Sequence, residues 1–145
     1  METISKSLLY CLTIAIAFCS CDTSVNNNNS YDYSVEQNLG CFCPQGGVWV
    51  KIYAKADTVA EAVTISDNNP LSYQERMRYK TIKGLFEVIS QLDTSVYDVR
   101  VAFDSLNNYP SYLYFNPKPV VHGDTVQVIV DAQMSYSTRS YIKLN

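Results

Sequence analysis

A chain of 145 residues with 47% hydrophobic and 17% charged side chains holds one compact domain of about 110 to 120 residues, which excludes a second domain and wholesale disorder. The net charge is -3 and the eleven basic residues are scattered, which argues against a nucleic-acid-binding face. Their densest group, Arg76, Arg78, Lys80 and Lys83, has Tyr79 as its one aromatic neighbour and reads as a solvated loop and helix start.

Residues 1–20 read as a signal peptide. After Lys6 the run Leu8 to Phe18 carries no charge. At about eleven residues it is too short for a spanning helix, which needs about 20, and it suits a cleaved leader. Removing it deletes Glu2 and Lys6 together, so the mature charge is unchanged. Phe18-Cys19-Ser20-Cys21 resembles a loose lipobox, with the small Ser20 before the cysteine that is lipidated. Cys21 is therefore the expected lipidation site, and residues 21–30, with four consecutive asparagines, form a polar tether with nothing to bury. Two or three acyl chains suffice for stable anchoring. The expected location is the cell envelope, on the periplasmic or surface side of a bacterial membrane.

The domain is expected over residues 31–145. Tyr31, Tyr33, Val35, Gln37 and Leu39 alternate with polar residues and predict a half-buried strand. Beyond Pro44, Gly46 and Gly47, the residues Val48, Val50, Ile52 and Ala54 predict a second strand, and Val59, Val63 and Ile65 a third returning beside it as a hairpin. Ser66 to Lys80 reads as a loop with room for one helical turn. Ile82, Leu85, Phe86, Ile89 and Leu92 form the apolar stripe of a three-turn helix, with Thr81 as N-cap and Asp93 ending it. Val99, Val101 and Phe103 predict a fourth strand and Tyr112 to Phe115 a short fifth. Val126, Val128, Val130, Ala132, Met134 and Tyr136 predict one long final strand. The expected fold is α+β: a mainly antiparallel sheet of six strands in βββ-α-βββ order with one helix on one face.

A single helix covers a single face of such a sheet. If it covers the valines, Trp49, Tyr53, Tyr112 and Tyr114 lie on the opposite, open face as a candidate binding surface. If the sheet curls, the same aromatics are buried. Twelve tyrosines do not decide between the two, because tyrosine fills half-buried strand positions as readily as binding surfaces.

The ordered landmarks Tyr31-Asp32-Tyr33, Cys41-Phe42-Cys43-Pro44, Thr81-Ile82, Leu85-Phe86, Phe103-Asp104 and Tyr109-Pro110 resemble those of domain-of-unknown-function family 6174. The resemblance spans about Tyr31 to Tyr136, and Cys-Phe-Cys-Pro is its most specific piece. The chain departs from the pattern at Phe103, where such domains carry tyrosine, at Asn108, where they carry glycine, and at Asp124, where they carry an acidic run. The family occurs in bacterial lipoproteins and exported proteins, so the resemblance implies fold and location and transfers no activity.

Cys41 and Cys43 are the sharpest local feature. Once Cys21 is lipidated they are the remaining cysteines of the mature chain, in a compartment where thiols are usually oxidised. Residues two apart in a straight strand are about 6.6 Å apart at Cα, with Cβ atoms too far apart for a disulfide, so the backbone must bend there for the bond to form. Gly40 and Pro44 permit that, which favours a Cys41–Cys43 disulfide acting as a local clamp or redox group. Free thiols or a soft metal such as Cu(I) are the alternatives, although Met77 and Met134 are distant in sequence.

His122, in a turn with Asp124, reads as a turn residue rather than a ligand or a dyad partner of Cys41. Asp98 and Asp104 share a strand face with Arg100 and read as solvated. No nucleophile elbow, zinc-protease helix, phosphate loop or EF-hand is present. The expectation is thus no catalytic residues, no cofactor and no metal. The leading reading is a non-catalytic binding or structural lipoprotein with an envelope protein as partner, met through the open sheet face or the 66–80 loop. Redox or soft-metal handling through Cys41 and Cys43, and inhibition of a secreted hydrolase, are the alternatives.

Overall fold

The alternation of Tyr33, Val35, Gln37 and Leu39 with Ser34, Glu36 and Asn38 is realised in β1, Tyr33–Gly40, where Val35, Gln37 and Leu39 are buried. In a computed structural model describing residues 30–41, 43, 44, 46–127 and 133–144, β1 is followed by β2, Trp49–Lys55, and β3, Thr58–Thr64. Then come α1, Tyr73–Arg76, and α2, Ile82–Gln91, before β4, Tyr97–Phe103, and β5, Pro110–Pro117. A hairpin of β6, Val120–His122, and β7, Thr125–Gln127, precedes β8, Met134–Lys143. Six strands form one antiparallel sheet in the order β3-β2-β1-β8-β5-β4, and β6-β7 stand apart from it. The fold is α+β, as the element order predicts. The leader, Cys21 and residues 22–29 of the tether lie outside the described residues.

The hairpin between β2 and β3 turns on Ala56 and Asp57, both at positive φ (47° and 61°). Such paired left-handed residues match the twist of the flanking strands. Alanine is an uncommon choice there, and the Asp32 carboxylate holds the turn by accepting from the Ala56 N–H at 2.7 Å.

The 66–80 segment is tied to the sheet. The Thr64 N–H donates to the Asn69 carbonyl at 2.9 Å and the Leu71 N–H to the Ala62 carbonyl at 2.9 Å, with a bridge between Val63 and Pro70, so this segment covers the outer edge of β3. Ser72 and Glu75 then form a reciprocal capping box that starts α1. Thr81 caps α2 by accepting from the Gly84 N–H at 3.0 Å, and the stripe predicted for this helix sets Leu85 fully into the core with Val35, Leu39, Ile52, Leu113 and Tyr136.

The last strand differs from expectation. Among the described residues, Gly123 (φ 62°) turns the chain into the β6-β7 hairpin, where Val126 lies, and the strand described in the six-stranded sheet runs from Met134 to Lys143. Val128, Val130 and Ala132 lie outside the described residues. The strand's inner positions include Thr138, and Ser140 (φ 56°) shifts the register against β1, so beyond Tyr136 no continuous apolar period marks β8. Yet it is central, pairing with β1 on one side and β5 on the other, and it joins the β1-β2-β3 meander to the β4-β5 hairpin.

Candidate functional site

The helix-bearing face carries the core, and the strand pleat sends the alternate residues to the other side. Registers across the sheet line those residues up in rows: Trp49, Asn38, Ser137, Tyr112 and Ala102 form one. Lys51, Glu36 and Arg139 form the next, and Gly40, Ser135, Tyr114 and Arg100 flank it on the other side. Trp49 and Tyr53 on β2, and Tyr112 and Tyr114 on β5, thus share the face opposite α2. Two strands of small and polar residues separate them, a span of about 14 Å. Ser34, Asn38, Ser135 and Ser137 floor this gutter. Gly40 belongs to it because a Cβ there would meet the Ser135 hydroxyl at 2.2 Å.

Cations rest on the aromatics. The Arg139 guanidinium lies 3.8 Å from the Trp49 ring centroid while its Nε donates to Glu36 Oε2 at 2.8 Å, which fixes the indole orientation. Arg100 lies 5.4 Å from the Tyr114 centroid and Lys51 5.3 Å from that of Tyr53, whose ring also meets Tyr31 at 5.0 Å. Tyr112 is the most open of the four, 38% exposed. Ring faces, guanidinium groups, an amide and hydroxyls together present a surface for contact and hydrogen bonding.

Cys41 and Cys43 follow β1, with their sulfurs in contact and Cα atoms 5.3 Å apart, closer than a straight strand allows and inside the disulfide range. The chain folds back beneath them: the Gly46 N–H donates to the Cys43 carbonyl at 2.8 Å and the Gly47 N–H to the Leu39 carbonyl at 2.9 Å. Gly46 is required there, since a Cβ would lie 2.3 Å from the Cys41 carbonyl oxygen. The pair lines a cleft of about 460 Å³ with Leu39, Arg78, Lys80, Met134 and Tyr136. Met134, distant in sequence, is brought to the cysteines; Met77 is not, and stays 55% exposed on α1's C-cap. Burial pushes the Tyr136 phenol up to about 12, and its hydroxyl donates to the Arg78 carbonyl at 3.3 Å.

The remaining sequence candidates are dispersed. His122 ends β6, and Asp98 faces Arg100 at 3.4 Å in an exposed pair. Asp104 does not share that strand face: β4 ends at Phe103, where the register shifts, and the Asp104 carboxylate turns in to accept from the Leu106 and Asn107 N–H groups at 3.1 and 2.8 Å. The Asn107 backbone bond in particular holds its carboxyl below the usual range. Among the described residues, no group of three or more His, Cys, Asp or Glu is placed to hold a metal ion, and no helix is long and apolar enough to cross a membrane.

One cleft was not foreseen. Tyr33, Ile82, Phe86, Tyr109 and Tyr141 line about 350 Å³ beside the first turns of α2, rimmed by Asn107 and the Lys83–Asp57 pair at 3.0 Å. Tyr141 sits between Tyr33 (5.4 Å) and Tyr109 (5.9 Å), and the Tyr33 hydroxyl accepts from the Ile82 N–H at 3.0 Å. Burial raises the Tyr33 and Tyr109 phenols above their ordinary value. A signal was available: Tyr33, Ile82, Phe86 and Tyr109 are among the landmarks that carry the resemblance. Tyr141 was beyond reach because the expected final strand stops at Tyr136, whereas β8 runs on to Lys143.

No curated protein and no solved structure matches the chain. A family model does, over residues 23–136, most of the length and all elements from β1 to β7. The chain belongs to the family of unknown function DUF6174.

Proposed function

We propose that this chain is an exported lipoprotein, anchored through Cys21 to a bacterial membrane in the cell envelope, whose domain serves as a non-catalytic binding module. The observation that carries the binding reading is the face opposite α2, where Trp49, Tyr53, Tyr112 and Tyr114 flank a polar gutter and no helix packs among the described residues. A sheet face in water needs only solubility, which charge alone supplies. Aromatic rings held under Arg139, Lys51 and Arg100 are a costlier and more oriented arrangement, of the kind found at contact surfaces. The reading of the leader rests on residues 1–21 of the sequence.

Two measurements test this. Palmitate labelling should mark the wild type and not Cys21→Ala; equal labelling of both refutes the anchor. Crosslinked envelopes should yield a specific partner to the wild type that the pair Trp49→Ala and Tyr112→Ala loses. Unchanged capture by that variant refutes this face as the contact.

A second reading has its own observation: Met134 joins Cys41 and Cys43 at one cleft, a soft sulfur set of the kind that binds Cu(I) or supports thiol chemistry. Mass spectrometry of the non-reduced protein separates the cases. A loss of about two mass units relative to the reduced chain means a disulfide, and two alkylatable thiols favour the metal.

A further inference from the structure

The two edges of the sheet are treated differently. Beside β3, the 69–71 segment occupies the edge, using the Thr64 N–H and Ala62 carbonyl. At the other end, among the described residues, β4 pairs with β5 on one side and with nothing on the other. An exposed edge strand is a template for another strand, and proteins usually cover it, shorten it or interrupt it. Strand β4 is seven residues long, contains no proline, and pairs without irregularity from Tyr97 to Ala102.

Its sequence, Tyr97-Asp98-Val99-Arg100-Val101, is complementary to itself when run antiparallel. We propose that β4 is a homodimer interface, pairing with β4 of a second copy about a two-fold axis at Val99. In that register Val99 faces Val99 once, on the axis, while Asp98 faces Arg100 and Tyr97 faces Val101, each twice by symmetry. Val96, 50% exposed, comes opposite Ala102.

Directly opposed cross-strand residues decide which register is preferred, opposite charges favouring it and like charges opposing it. Moving the axis to Arg100 sets Arg100 against Arg100, and moving it to Asp98 sets Asp98 against Asp98. Shifting by one residue sends the helix-side face of one copy to the open side of the other. The Val99 register alone among these satisfies both the charges and the faces. Asp98 and Arg100 are available for it: their mutual contact is 3.4 Å and their side chains are 52% and 71% exposed.

An axis normal to the sheet gives twelve continuous strands with both α2 helices on one side and both open faces on the other. Two gutters then lie on one surface. The pairing is independent of what, if anything, occupies them.

The test is site-directed crosslinking of the full chain under mild oxidation, read on non-reducing gels against the wild-type cysteine background. Opposed Val99 residues bring their Cα atoms within disulfide range, whereas Val101 and its symmetry mate are about 13 Å apart, so Val99→Cys should give roughly fivefold or more covalent dimer than Val101→Cys. Asp98→Arg and Arg100→Asp, each combined with Val99→Cys, should reduce that yield, and the double reversal should restore it. Equal yields from Val99→Cys and Val101→Cys, or a double reversal no better than either single one, overturn the proposal. Because all four positions are on an edge strand, circular dichroism of each variant should match wild type, and the Val99 to Val101 comparison stands without the charge variants.

Discussion

Replacing Gln37 by leucine tests how the sheet holds the segment that leads into α2. Gln37 is fully buried in the middle of β1, on the apolar side of the sheet. Its amide pairs with the backbone of Lys80 as a strand would: Nε2 donates to the Lys80 carbonyl at 3.2 Å, and the Lys80 N–H donates to Oε1 at 3.0 Å. A further bond runs from Nε2 to Thr138 Oγ1 at 3.3 Å, so one side chain ties β1, β8 and the residue before the Thr81 cap. Leucine has nearly the same volume and opens no large cavity. It removes three hydrogen bonds worth about 1 kcal/mol each and strands partners whose desolvation costs about 1 to 3 kcal/mol more; the gain from burying an apolar side chain offsets part of this. The expected net loss is about 2 to 4 kcal/mol, or a fall in Tm on the order of 10 °C. Urea unfolding at neutral pH measures it, with Thr138→Val as a companion expected to cost about 1 kcal/mol because it breaks one bond only. A loss below about 1 kcal/mol for Gln37→Leu would refute the claim that this amide organises the core.

Three further outcomes follow from the same packing. The Tyr79 hydroxyl is buried with no hydrogen-bond partner among the described residues, so Tyr79→Phe should raise stability by about 1 kcal/mol in urea unfolding, opposite in sign to most core changes. Thr81→Ala should cost about 1 kcal/mol by removing the acceptor for the Gly84 N–H, and Thr81→Ser should recover most of it, as thermal melts would show. Stability should fall as pH rises above 10. The Tyr136 phenol ionises at its ordinary value of 10.0 when unfolded and at about 12 when folded, so the unfolded state releases its proton first, and stabilisation complete below pH 10 is lost across that interval. Urea midpoints from pH 8 to 11 should decline, and less steeply in Tyr136→Phe.

Local pattern was enough for most of the fold. Strict alternation in β1, β2 and β4, the i, i+3, i+7 stripe of α2 and the Thr81 cap are each properties of a few neighbouring residues, and they dictate α+β class and helix placement because one apolar stripe can bury only against one sheet face. The bend that brings Cys41 and Cys43 together was likewise legible, since Gly40 and Pro44 flank the two cysteines and permit the backbone to depart from a straight strand. What the tertiary structure decided were matters of register and sequence-distant contact. Strand β8 joined the centre of the sheet through Tyr136, Thr138 and Tyr141, residues whose burial comes from neighbours on β1 and β5 rather than from their own apolarity. Only with β8 in place do Trp49 and Tyr112 fall in one row, Met134 reach the cysteines and Tyr141 bring Tyr33 and Tyr109 together. The physical reason is that hydrophobic period reports which face a residue takes, while strand order depends on pairing between segments about 100 residues apart, as from Gln37 to Thr138, which no local pattern encodes.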